Sequence, residues 1–155
     1  IRGKFGSMKG KIVGILGFSF KANTNDTRES PAIHICGDLL LDGAILRIHD
    51  PQVDKKQINI DLSTSLKEYI VNNQKKALNN ANKWAKLPLT KEFFRDIDAL
   101  VILTEWQEYS IINWSIVSNL MKSPGWVFDS RSIVDPKKIL ENGLNLWRVG
   151  DGTLN

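Results

Sequence analysis

Between Phe18 and Glu29 the sequence sets Lys21, Asn23, Thr24, Asn25, Asp26, Thr27 and Arg28 close together. These side chains bond phosphates and hydroxyls, lysine as a compact point charge and arginine as a planar, two-pronged donor. The segment is long for a strand-to-helix connection, and long loops in compact domains tend to be functional or mobile. It also leads into a helix start, where free N–H groups and the helix dipole favour an anion. From pattern alone two readings of Lys21 and Arg28 stay open: phosphate ligands, or charges that solvate a loop. A second group, Asp129-Ser130-Arg131-Ser132, follows another apolar run and would project Arg131 into the same crevice as Lys21. Cations at two strand ends of one crevice suggest a diphosphate.

Other chemistries lack their residues. Cys36 falls on the apolar face of a helix, the place of a packing thiol and not of a nucleophile. His34 and His49 are isolated, without the spacing of a metal site, so no metal is expected. Gly14 and Gly17 lie in or at the end of an apolar run, and no G-x-G-x-x-G turn follows. Asp50 stands where a dinucleotide fold often keeps a ribose-binding acid. With Pro51 behind it, a turn-forming Asp-Pro is the favoured reading. No catalytic residue is assigned.

The elements that must position these groups follow from the apolar pattern. Lys11 to Leu16, Ile45 to His49, Ala99 to Thr104, Trp126 to Asp129 and Leu144 to Val149 are short, β-branched and nearly continuously apolar, as in strands buried on both faces. Helical patterns alternate with them. The expected fold is α/β, a Rossmann-like, doubly wound, mainly parallel sheet with helices on both faces. Ser30-Pro31 starts the clearest helix, with Ala32, Ile35, Cys36, Leu39 and Leu40 on one face and Gly43 stopping it. Asp135-Pro136 repeats the start signal, and that helix ends near Gly143. Trp106 to Met121 reads as one more helix, its pattern diluted by β-branched residues and Asn113. Residues 72–86 are Asn- and Lys-rich, expected as a solvent-facing helical insertion or a partly mobile loop, within a variable insertion at about 58–96. Residues 1–10 read as a linker into a domain spanning 11–155.

Composition narrows the class further. The 155 residues are 42% hydrophobic and 25% charged, ordinary for a globular domain. No apolar run approaches the ~20 residues of a membrane span. The net charge of +4 is spread over doublets such as Lys55-Lys56 and Lys137-Lys138, with no arginine-aromatic stripe for nucleic acid. A modest positive field suits a small anion instead. One cysteine and no leader pattern suggest a cytoplasmic protein. The chain opens on Ile1, which suggests a piece of something longer.

Four blocks carry a more specific signal: KIVGILGFSFKANTNDTRESPAIHI (Lys11 to Ile35), DGAILRIHDP (Asp42 to Pro51), ALVILTEW (Ala99 to Trp106) and VFDSRSIVD (Val127 to Asp135). In order and spacing they resemble the carboxy-terminal, UDP-binding domain of the UDP-glucose/GDP-mannose dehydrogenases, most closely the UDP-glucose branch. The resemblance implies a two-step oxidation of UDP-glucose to UDP-glucuronate that reduces two NAD, in a protein that is a homo-oligomer. It also implies that an amino-terminal domain absent from this chain binds NAD and supplies a catalytic cysteine. Phe20 and Lys21 match positions that contact the UDP-sugar. Arg131 matches an arginine that engages the substrate towards a cleft at the subunit interface, and Arg28 one near the NAD pyrophosphate. Ser130 stands where relatives often have glycine, and Ser132 where they often have arginine or asparagine. Two alternatives remain: a sister nucleotide-sugar specificity (UDP-ManNAc or GDP-mannose), or a non-catalytic nucleotide-sugar-binding module.

Overall fold

The computed structural model describes residues 1–72, 79–150 and 152–154. Its strands are β1 (Ile12–Leu16), β2 (Ile45–His49), β3 (Trp84–Lys86), β4 (Ala99–Ile102), β5 (Trp126–Asp129), β6 (Asn145–Arg148) and β7 (Gly152–Leu154). They form one sheet in the order β3-β2-β1-β4-β5-β6-β7. Every neighbouring pair from β3 to β6 is parallel, and β7 closes the edge antiparallel to β6. The expected doubly wound sheet is therefore present, and all five anticipated runs become strands within a residue or two of their bounds. Ala99–Ile102 stops two residues earlier than the run to Thr104, because Leu103 and Thr104 turn into the loop that follows.

Side chains alternate across this sheet, and each face is covered by helices. Val13, Ile15, Leu46, Ile48, Ala99, Val101 and Phe128 point to one face. There they meet Cys36, Leu39 and Leu40 of α2 (Pro31–Leu41) and Ile58 and Leu62 of α3 (Lys55–Asn72). Leu16, Leu100, Ile102, Val127 and Leu146 point to the other. They meet α4 (Lys91–Phe94), α5 (Gln107–Ser110), α6 (Trp114–Leu120) and α7 (Pro136–Glu141) through Phe93, Tyr109, Trp114, Val117 and Ile139. Fully burying each such side chain contributes about 1.5–3 kcal/mol.

The caps anticipated for two helices are present. Ser30 Oγ accepts from the Ala32 N–H, and Gly43 takes a left-handed φ of 88° just past α2. The Asp135 carboxylate accepts from the Lys137 N–H at the start of α7. The helix expected over Trp106 to Met121 is instead two, α5 and α6. Asn113 explains the break: its side chain accepts from the Ile116 N–H and so starts a new helix inside the pattern.

The segment expected as an insertion contributes more than anticipated. It holds most of α3, edge strand β3 and α4. Arg47 of β2 donates through Nη1 to the carbonyls of Glu92, Phe93 and Arg95, closing the end of α4. Residues 73–78, the middle of the Asn- and Lys-rich stretch, lie outside the described residues. Residues 1–10 include a helical turn, α1 (Arg2–Phe5), with Arg2 hydrogen-bonded to Asp42 and Lys4 over the Trp126 ring. Met8 is buried in the core of the first face.

At the carboxyl end of β1, Gly17 has a φ of 93°, and a Cβ built on it would lie 2.4 Å from Thr104 Cβ. Both backbone conformation and space demand glycine there. Gly17→Ala is expected to destabilise the chain by about 2–4 kcal/mol, from left-handed strain and overpacking together. Urea denaturation of the variant checks this.

Candidate functional site

The strand order reverses between β1 and β4. The chain leaves β1 for α2 on one face and leaves β4 for α5 and α6 on the other, which opens a crevice beyond the carboxyl ends of these strands. Three loops border it: Gly17 to Ser30, Leu103 to Trp106, and Ser130 to Asp135.

One buried carboxylate organises the first two. Asp50, 1% exposed at the end of β2, accepts through Oδ2 from the main-chain N–H groups of Phe18 (2.8 Å) and Ser19 (3.0 Å). The same oxygen accepts from Ser19 Oγ (3.1 Å) and from Trp106 Nε1 (3.3 Å). Its Oδ1 accepts from Gln52 and Val53 N–H, both at 2.9 Å, which is the turn expected of Asp-Pro. Burial on its own would raise the Asp50 carboxyl, but the N–H donors of Phe18, Ser19, Val53 and Gln52 outweigh it and hold the group below the usual carboxylate range. An acid so occupied has no oxygen left for a ribose.

The rest of the first loop is folded on itself. The Phe20 N–H bonds the Asp26 carbonyl at 2.8 Å, and Ser30 Oγ donates to the Phe18 carbonyl at 2.8 Å. Thr104 Oγ1 donates to the Ser19 carbonyl at 2.8 Å, and the Ser19 hydroxyl, sharing its one proton between Asp50 and the Lys21 carbonyl 3.0 Å away, ties β4 to the Lys21 segment. Beneath them His49 is buried, with Nδ1 2.9 Å from the Tyr109 hydroxyl. Burial lowers its pKa, Lys86 adds to this, and neighbouring Asp50 opposes it. The ring is neutral at pH 7 and serves packing.

On the third loop, Asp129 is fully buried and repeats the device of Asp50. It accepts from the N–H of Arg131 (2.9 Å) through Oδ1 and of Val134 (3.0 Å) through Oδ2. Arg131 Nε donates to the Leu103 carbonyl at 2.8 Å and stands 3.3 Å from Glu105 Oε2. Arg131 thus reaches across to the β4 loop, which Thr104 joins to the Lys21 segment. Asn23, Glu29 and Ser132 hold left-handed φ values of 63°, 57° and 56° within these loops. Non-glycine residues in that region mark backbone held by its surroundings, as binding loops often are.

The structure separates the residues singled out in the sequence. Phe20 is 48% exposed and Lys21 is exposed, both on the crevice loop. Arg28 is turned to its own loop: Nε and Nη2 bond the Asp26 carboxylate, the latter at 2.7 Å. Hydrogen bonds from Arg28 hold that carboxyl down to about 2. The helix end offers less than expected. The Ala32 N–H is taken by Ser30 Oγ at 3.3 Å and the Ile33 N–H by the Ser30 carbonyl at 3.2 Å, and Pro31 has no N–H. What remains for an anion is the dipole. Cys36 is 0% exposed and burial pushes its thiol up, which disfavours the thiolate. Among the described residues no group of His, Cys, Asp or Glu could hold a metal ion, and no helix is long and apolar enough to cross a membrane.

Sequence reasoning read Asp50 only as a turn former, not as the clamp of the Phe18-Ser19 segment, and gave Thr104, Glu105 and the indole of Trp106 no role. Their signals were the Asp-Pro and T-E-W blocks, whose partners are remote in sequence.

Six parallel strands in this order, with long loops gathered where the order reverses, define an α/β nucleotide-binding domain of the Rossmann type. The chain belongs to the UDP-glucose/GDP-mannose dehydrogenase family: the family's UDP binding domain matches residues 14–136. It is 37% identical over 149 residues to UDP-glucose 6-dehydrogenase 1 of Arabidopsis thaliana, and 38% over 148 to UDP-glucose 6-dehydrogenase 1 of Glycine max. Each match covers 94% of this chain and 31% of the relative, so the chain spans about a third of the length of these proteins. Among solved structures, NDP-N-acetyl-D-galactosaminuronic acid dehydrogenase from Methanosarcina mazei shares the fold with a TM-score of 0.71 at 20% identity, over 97% of this chain and 27% of that one. A UDP-glucose dehydrogenase from Pyrobaculum islandicum does so with 0.58 at 21%, over 95% and 27%.

The Asp50 network makes a pH-dependent prediction. Its folded-state pKa lies below the unfolded value of about 3.9, so its stabilisation is fully present above about pH 4 and is lost as pH falls through the folded value. Asp50→Asn is expected to cost about 1.5–3 kcal/mol at neutral pH. In urea titrations across pH, the gap between parent and variant should narrow below about pH 4.

Proposed function

We propose that this chain is the nucleotide-sugar wall of an NAD-dependent UDP-glucose 6-dehydrogenase, which oxidises UDP-glucose to UDP-glucuronate and reduces two NAD. What supports the reading is the strand order: the loop of Phe20 and Lys21 leaves β1 at the switch point, and Arg131, after β5, is bonded to the β4 loop beside it. The names of the relatives at 37% and 38% identity supply the substrate.

Within this proposal Lys21 and Arg131 neutralise the diphosphate, and the exposed Phe20 ring covers the ligand. A two-pronged arginine and a point-charge lysine suit two linked phosphates. Arg28 serves the NAD pyrophosphate from across an interdomain cleft, once it exchanges Asp26 for that anion. NAD, when bound, accepts the hydride removed from the sugar. This chain does not fit a whole dinucleotide by itself: Asp50 is used up within the fold, and Thr104 crowds the β1 turn at Gly17. The NAD site and a nucleophilic cysteine are therefore assigned to an amino-terminal domain of the same protein, since Cys36 is buried in the core. The domain proper is 11–155, with residues 1–10 leading into it, and the variable segment is 58–96. A homo-oligomer in the cytoplasm completes the reading, with Arg131 directed to a cleft at the subunit interface.

Two outcomes test it. The chain alone should bind UDP and leave NAD unreduced when supplied with UDP-glucose; reduction followed at 340 nm would place the chemistry here after all. Arg131→Ala should weaken UDP by about 1.5–3 kcal/mol, the worth of a charge-assisted contact, and Lys21→Ala should weaken it less. Titration calorimetry showing unchanged affinity for Arg131→Ala would reject the assignment.

A further inference from the structure

Arg131 already has partners within the chain. Nε bonds the Leu103 carbonyl at 2.8 Å and faces Glu105 Oε2 at 3.3 Å, while among the described residues no hydrogen bond joins Arg131 to Glu105. The two contacts differ in kind. The Leu103 bond is short and comes from a residue only 3% exposed, so it fixes where the guanidinium lies. The Glu105 contact is longer, between side chains 33% and 42% exposed, so it contributes charge more than geometry.

We propose that Glu105 is a built-in competitor for the anion site: its carboxylate neutralises Arg131 until a diphosphate displaces it, and it thereby sets the affinity for the diphosphate. The inference rests on the reading of Arg131 as a diphosphate ligand. Displacement is easy because the pair is exposed and not hydrogen-bonded, the Nε proton going to Leu103, and because the Leu103 bond keeps the guanidinium in place when Glu105 leaves. The cost of breaking the pair is subtracted from binding. Weaker ground-state binding of this kind favours release of the nucleotide sugar after turnover. Asp26 stands to Arg28 as Glu105 stands to Arg131, but there the arginine is held on two nitrogens and is the harder to free.

The test is titration of UDP into the chain and into Glu105→Gln by calorimetry. An exposed pair of this strength predicts about two- to five-fold tighter binding for the variant. Unchanged or weaker binding would overturn the inference, the latter by showing that Glu105 supports the ligand directly. In an Arg131→Ala background the gain should vanish; a gain of the same size there would mean a through-space charge effect and would also reject the pair. The Arg131 Nε–H resonance gives a second readout that does not depend on weak binding by the arginine variant. It should differ between the parent chain and Glu105→Gln without ligand and coincide once both are saturated with UDP, and a persistent difference at saturation would contradict displacement. Failure of the parent to bind UDP at all removes the nucleotide-sugar reading and this inference with it. UDP binding that depends on Arg131 but is not tightened by Glu105→Gln removes this inference alone.

Discussion

The carboxylate of Asp50 is the interaction on which the crevice depends. It gathers main-chain donors from the β1 loop, an indole from the β4 loop and two further N–H groups from its own turn, all around a group that is 1% exposed. A buried charge survives only when its oxygens are saturated, and removing donors from it costs more than the same bonds would in water. Each loop therefore holds the other in place. Gly17 is the other half of this arrangement, because only a residue without a side chain lets Thr104 approach closely enough for its hydroxyl to reach Ser19.

This arrangement uses a dinucleotide fold without its usual phosphate turn. Strand order and the position of the crevice are those of the Rossmann class, yet the acid at the end of β2 looks inward and not at a ribose. The space over β1 is filled by a long loop pinned at Ser19, Phe20 and Ser30. Ser30 uses main-chain donors at the helix end, and the exposed cations lie on side chains of the loops. The cations on these loops stand beside carboxylates: Arg28 by Asp26 and Arg131 by Glu105.

Much of the fold was legible because its causes are local. Runs such as Ala99 to Ile102 and Trp126 to Asp129 are buried along their whole length, as in a parallel sheet covered on both faces. Ser30-Pro31 and Asp135-Pro136 announce helix starts through bonds made within a few residues. The split between α5 and α6 was less legible, since Asn113 competes with a helical pattern that continues on either side of it. Strand β3 lies on the edge, half-buried, and has too few residues for a periodic signal.

For the site, the sequence by itself determined the chemical types: a cationic loop after β1, an arginine after β5, a buried thiol unsuited to attack, and the family these blocks resemble. Tertiary structure decided which of them act together. The bonds from Asp50 to Ser19, from Thr104 to Ser19 and from Arg131 to Leu103 join residues that are neighbours only once β2, β1, β4 and β5 lie side by side. It also decided that Arg28 turns to Asp26 while Arg131 turns to Leu103 and Glu105, a difference set by which carboxylate or carbonyl each guanidinium reaches. Residue types are properties of the chain, whereas partners across a sheet are properties of strand order, and no local pattern encodes that.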